Sequence, residues 1–212
     1  MKLISYKKNG NIKLGAFEEG KIYDLHALDG HIADNMLEFL QGGEEQLQLA
    51  MAAMEDGSPT ISAEDVELIS PVPNPPSVRD AYAFRQHVAT ARRNRGLEMI
   101  PEFDEIPIFY FTNHHAVFGE GYFPVLSRHT EKLDFELECA AVIGKGGRNI
   151  STSDADDYIA GFMIMNDLSA RVLQMQEMKL NLGPAKGKDF GSTFGPWLVT
   201  KDELEPYKQS SA

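Results

Sequence analysis

The chain has 212 residues, 42% of them hydrophobic and 25% charged, which is an ordinary globular composition. Its formal net charge of −12 argues against a nucleic-acid partner, because binding to phosphates rests on a cationic surface. The longest apolar runs, such as Gly161 to Met165, fall far short of the ~20 residues a bilayer span requires, so no membrane partner is expected.

The N-terminus, Met1 to Tyr6, turns polar at once and lacks the apolar core of a signal peptide. A single cysteine, Cys139, leaves no internal disulfide and suits a reducing compartment. Together these features predict a cytoplasmic protein.

Leu3 to Tyr6 and Ile12 to Phe17 flank Asn9-Gly10, a hairpin signal, and a second turn at Glu19-Gly20 leads into Lys21 to Leu25. Leu47, Met51 and Met54 recur at helical spacing and predict a packed helix that stops at Asp56-Gly57. His26 and His31 lie in loop-like surroundings and carry little functional weight. The stretch 71–76 holds four prolines in six residues, which remove ladder donors and force an extended path. It reads as a linker after a small N-terminal domain, 1–70.

Beyond it, Asp80 to Arg95 reads as a helix, with Arg92, Arg93 and Arg95 as a basic, solvated end. Pro107 to Phe111 reads as a strand. Leu133 to Ile143 is the strongest strand signal. Ala160 to Asn166 is a buried strand, Ala170 to Lys179 a helix and Pro196 to Thr200 a strand. The fold class is α+β, mainly β.

In a strand, alternate side chains share a face, so Phe135, Leu137 and Cys139 oppose Asp134, Glu136 and Glu138. Glu136 and Glu138 would then stand about 7 Å apart and could converge on one ion. The plain alternative is an exposed strand with its acids in water. Against it, Ala140 to Ile143 continues the strand into a core, where clustered carboxylates need a counter-ion. Asp167, at the end of a buried strand, and Asp80 could each be a ligand or only a helix cap. An all-oxygen set suits Mg²⁺, Ca²⁺ or Mn²⁺. On the predicted helix, His87 lies seven residues after Asp80 and shares its face, a plausible place for a general base. His114 and His115 would point to opposite faces of a strand. Gly187 to Thr193 is glycine-rich but lacks the spacing of a phosphate loop. Its lysine, Lys188, could offset negative charge near a metal or hold a substrate carboxylate.

Arg79 to His87, Leu133 to Glu138, Met165 to Arg171 and Gly187 to Gly191 together resemble the fumarylacetoacetate hydrolase family, in the family's order and at about its spacings. The resemblance implies a β-roll-like catalytic domain over 77–212, usually in a homodimer. It implies that Asp80, Glu136, Glu138 and Asp167 ligate Mg²⁺ (or Ca²⁺ or Mn²⁺), that His87 activates water, and that Arg171 and Lys188 are catalytic. Tyr82, Gln174 and Lys188 then bind substrate. The expected reaction is hydrolysis of a carbon–carbon bond in an acylpyruvate-, fumarylpyruvate- or fumarylacetoacetate-like acid. Isomerisation, hydration or decarboxylation of related 2-oxo acids of aromatic catabolism is the alternative. The family fold normally continues past this point, and the polar tail Glu205 to Ala212 looks like an ending. The expectation is therefore a C-terminally incomplete domain, which leaves open an inactive, truncated paralogue that binds metal or a partner subunit.

Overall fold

The computed structural model describes residues 1–209. Strands β1 (Lys2–Lys8), β2 (Asn11–Glu18) and β3 (Lys21–Asp24) form an antiparallel meander. Asn9 and Gly10 take φ of 52° and 81°, as a two-residue hairpin turn with both central residues left-handed requires, and Glu19 and Gly20 repeat it at 47° and 81°. Helix α1 (Leu25–Leu28) is opened by Asp24, whose carboxylate accepts from the Ala27 N–H. Helix α2 (Met36–Asp56) is capped by the Asn35 side chain, broken at Gly43 and ended at Gly57. Leu47 and Met54 pack on the core as their spacing predicts, whereas Met51 is exposed.

Strands β4 (Ile61–Ser62) and β5 (Glu67–Ile69) precede the proline-rich stretch. After it come β6 (Val78–Asp80), α3 (Arg85–Arg93), α4 (Glu102–Glu105), β7 (Tyr110–Thr112), β8 (Val117–Phe118) and α5 (Ser127–Thr130). Next are β9 (Leu133–Asp134), β10 (Leu137–Ile143), β11 (Ile159–Asn166), β12 (Ser169–Ala170) and α6 (Arg171–Glu177). The described chain closes with α7 (Ala185–Lys188), β13 (Ser192–Phe194), β14 (Leu198–Thr200) and α8 (Lys201–Leu204). The architecture is mixed α+β and mainly sheet.

The main sheet runs β4-β3-β2-β1-β14-β11-β13-β8, with β5 also on β1 and β10 also on β11. Leu3 of β1 pairs with Leu198 of β14, so strands from before and after the proline-rich stretch share one hydrogen-bonded sheet. Leu3, Leu14, Leu25, Ile32, Met36 and Leu198 are almost fully buried in one cluster. Each contributes roughly 1.5–3 kcal/mol by leaving water. Two small ribbons, β6–β7 and β9–β12, lie outside the main sheet. The first carries Asp80 and Tyr110 and the second Asp134.

Three predicted elements are corrected. Asp80 does not open a helix: it ends β6, paired with Tyr110, and α3 begins only at Arg85. The strand expected over Pro107 to Phe111 starts at Tyr110. The strand expected over Leu133 to Ile143 is broken at Phe135 and Glu136, because Leu133–Asp134 pairs with β12 while Leu137–Ile143 pairs with β11. Leaving one ladder for another turns the chain. It also leaves Phe135 and Leu137 outward, at 68% and 73% exposure, with Glu138 facing in.

Candidate metal centre

Four chain segments meet at the end of β11. Asp80 ends β6 and Tyr110 opens β7 as its ladder partner. Glu138 lies on the inward face of β10, opposite Met165. Asp167 follows β11 directly, and its N–H donates to the Glu136 carbonyl at 3.1 Å, which ties the break before β10 to this strand end. Asp80, Glu138 and Asp167 each present a carboxylate oxygen within 4.8 Å of the others. At that distance two unit charges repel by about 3–4 kcal/mol even at an effective dielectric near 20.

The electrostatics follow from this crowding. Burial, then the charges of Asp80, Asp167 and Glu136, push the Glu138 carboxyl up to about 8. Burial and the neighbouring Asp167 push Asp80 up to about 6. Glu136 behaves oppositely. Burial would raise it, but hydrogen bonds from Lys188 and Arg171 outweigh that and hold it below its ordinary value. Lys188 is only 3% exposed, and its Nζ donates to Glu136 Oε2 and to Asp167 Oδ2, each at 2.6 Å. Burial alone would lower the ammonium, yet these contacts raise it. Arg171 bridges Glu136 Oε1 at 2.7 Å and Asp134 Oδ2 at 2.9 Å.

The Tyr110 hydroxyl lies 2.7 Å from Asp167 Oδ2 and 3.0 Å from Asp80 Oδ2. Burial and these two acids push its phenol well above the usual range. Asp167 is 0% exposed, and its second oxygen, Oδ1, has no hydrogen-bond partner among the described residues. A buried polar atom without a partner costs about 1–3 kcal/mol, more if charged. An orphaned carboxylate oxygen beside two further carboxylates fits a hard divalent cation with oxygen ligands.

Of the four expected ligands, the structure thus brings Asp80, Glu138 and Asp167 together, while Glu136 lies beside them with both oxygens taken by cations. Neither Asp80 nor Asp167 caps a helix: α3 follows Phe84 and α6 follows Ala170, and neither helix has a side-chain cap. Asp134, Glu136 and Glu138 do not share one strand: Asp134 belongs to β9 and pairs with Arg171, Glu136 falls in the break after it, and Glu138 alone is on β10. The shared helix face proposed for Asp80 and His87 is overturned, since Asp80 is on a strand. His87 is exposed on α3 and, among the described residues, makes no hydrogen bond or ion pair with the carboxylates. Tyr82 lies in the extended segment before α3, exposed, and stacks on Phe103. Gln174 of α6 accepts from Arg171 Nη1 at 3.1 Å. Tyr110 was not singled out by sequence reasoning. Its only signal is a tyrosine in a short apolar run, and its role depends on pairing with β6, thirty residues earlier.

Residues 77–211 match the fumarylacetoacetate (FAA) hydrolase C-terminal family. This chain belongs to the fumarylacetoacetate hydrolase family. Its relatives include a mitochondrial oxaloacetate tautomerase, fahd2, of Xenopus laevis, 29% identical over 209 residues that cover 96% of this chain and 63% of the relative. The fumarylacetoacetase of Arabidopsis thaliana is 52% identical over 81 residues, 37% of this chain and 19% of that protein. The chain thus spans less than two thirds of the length of these curated relatives. The fold is shared with maleylpyruvate hydrolase from Sphingobium sp. SYK-6, solved with a manganese(II) ion and pyruvate. That match has a TM-score of 0.69 at 22% identity and covers 97% of this chain and 69% of the other. Members of this family are enzymes, among them the Xenopus oxaloacetate tautomerase and the Arabidopsis fumarylacetoacetase. Among the described residues, no helix of this member is long and apolar enough to cross a membrane.

Proposed function

We propose that the chain is a divalent-metal-dependent hydrolase that cleaves a carbon–carbon bond in an acylpyruvate-, fumarylpyruvate- or fumarylacetoacetate-like acid. The observation that carries this reading is the meeting of Asp80, Glu138 and Asp167 within 4.8 Å, with Lys188 in contact with the same Asp167. Mg²⁺, Mn²⁺ or Ca²⁺ held by Asp80, Glu138 and Asp167 would supply Lewis-acid polarisation of a dioxo unit, and Glu136, as a fourth ligand, would have to exchange its contact with Lys188 or Arg171 for the ion. In this reading the base is His87, which makes no contact with the carboxylates in this structure and must approach them when substrate binds; it takes a proton from water at a ring nitrogen, and the hydroxide adds to the acyl carbonyl carbon. The bond to the neighbouring carbon then breaks, and its electron pair leaves as an enolate. Lys188, with Arg171, holds that negative charge. Protonation of the enolate carbon gives the ketone product, and the acyl part leaves as a carboxylic acid. Tyr82 and Gln174 orient the substrate.

A second reading, a tautomerase or related enzyme on 2-oxo acids, is favoured by one observation: the Xenopus tautomerase aligns with nearly the whole chain. Incubation of the Mg²⁺- or Mn²⁺-loaded protein with an acylpyruvate, followed by NMR, separates the two. A released pair of acids supports hydrolysis, and a mass-neutral change supports tautomerisation. Metal binding without turnover of any such acid overturns both and leaves the inactive paralogue. We further propose a homodimer in the cytoplasm. The exposed apolar residues Leu137, Ile143 and Ile164 on β10 and β11 support association. Light scattering at several concentrations tests it, and a monomer throughout counts against it.

A further inference from the structure

Lys188 is buried among acids, but nothing in its own short helix explains why it stays there. Helix α7 has four residues, its N-cap is Pro184, and no side chain at that position caps it. The first-turn N–H groups of so short a helix have no intrahelical partners. Two of them are taken by a residue from another element: Glu177, at the end of α6, accepts from the Lys186 N–H at 2.5 Å and from the Gly187 N–H at 2.6 Å. One carboxylate thus spans two consecutive peptide donors, and charge-assisted bonds of this kind are the strong ones.

The fit of α7 against α6 is close at the same point. A Cβ on Gly187 would stand 2.6 Å from Gln174 Cβ and 2.8 Å from the Gln174 backbone, so only glycine lets the two helices approach this far. The turn is closed by the Asp189 N–H, which donates to the Ala185 carbonyl at 2.7 Å. The next residue after Gly187 is Lys188, and its ammonium bonds to Glu136 and Asp167 rather than to Glu177.

We infer that Glu177 is a positioning residue: by clamping the Lys186 and Gly187 peptides to α6, it sets the Lys188 ammonium among the site carboxylates. It deepens the proposed reading, in which Lys188 holds the developing charge, but its test requires no turnover. The two can therefore fail separately.

The test is amine-reactive labelling of the metal-free protein, followed lysine by lysine with mass spectrometry. Lys186, exposed on the same helix, is the internal standard. Glu177→Ala is expected to raise the labelling rate of Lys188 about ten-fold or more, the order expected for loss of a hydrogen bond to a charged group, with Lys186 unchanged. Glu177→Gln keeps one acceptor oxygen, gives an intermediate rate, and serves as the test if the alanine variant does not fold. A Lys188 that stays as protected as in the parent would overturn the inference. So would a uniform rise at all lysines tracking a lower melting temperature, since that reports general unfolding.

Discussion

Tyr110 is the ladder partner of Asp80 across β6 and β7, and its hydroxyl lies 3.0 Å from the Asp80 carboxylate. The same hydroxyl reaches Asp167, so one phenol spans the ends of two separate sheets at the centre of the acidic cluster. Tyr110→Phe keeps the ring and removes only the donor. Chemical denaturation of the metal-free protein is expected to show a loss of about 1–3 kcal/mol. An unchanged unfolding midpoint and slope would show that the hydroxyl is idle.

Neither Glu138 nor Asp80 has a cationic side chain in direct contact among the described residues, and Glu138 is pushed the higher of the two, up to about 8. Measured above about pH 8, where Glu138 is ionised, Glu138→Gln removes a charge that repels Asp80 and Asp167. Two opposite effects are expected. The metal-free protein melts at a higher temperature, and affinity for Mn²⁺, read by titration calorimetry, falls by about ten-fold or more with the lost ligand charge. A variant that binds Mn²⁺ as well as the parent would remove Glu138 from the ligand set.

Stability of the metal-free protein is expected to fall as pH rises. Asp80 and Glu138 are raised from 3.8 to about 6 and from 4.5 to about 8, so over those intervals the folded state binds more protons than the unfolded one. Their contribution is fully present below the unfolded values and is lost as pH passes through the folded ones. Glu136, held low by Lys188 and Arg171, acts in the other direction, but only below its ordinary value of 4.5. Melting temperatures between pH 5 and pH 8 should therefore decline without metal. Saturating Mn²⁺, which binds the ionised form, should flatten or reverse the slope. A rising curve without metal would contradict the crowding of these acids.

Lys188→Met leaves Glu136 and Asp167 without their shared ammonium. Removing one partner of a buried pair typically costs about 3–5 kcal/mol. A large drop in the metal-free melting temperature is expected, with a greater stabilisation on adding Mg²⁺ than the parent shows. Equal stabilisation in the two proteins would mean that Lys188 and the metal do not share these oxygens.

The grouping of Asp80, Glu136, Glu138 and Asp167 came from the family resemblance, whereas local sequence was enough for the hairpin turns at Asn9-Gly10 and Glu19-Gly20, the helix ending at Gly57 and the β-rich character. These depend on backbone preferences and side-chain period, which neighbouring residues set. Only the tertiary structure decided where those acids sit. Asp80 became a strand end because Tyr110 pairs with it, and the run from Leu133 broke because β12 and β11 claim its two halves. Glu177 and Tyr110 act through contacts that join separate elements, and no local pattern encodes such partners. Long-range ladders and buried ion pairs compete with local propensity, and at this site they prevail.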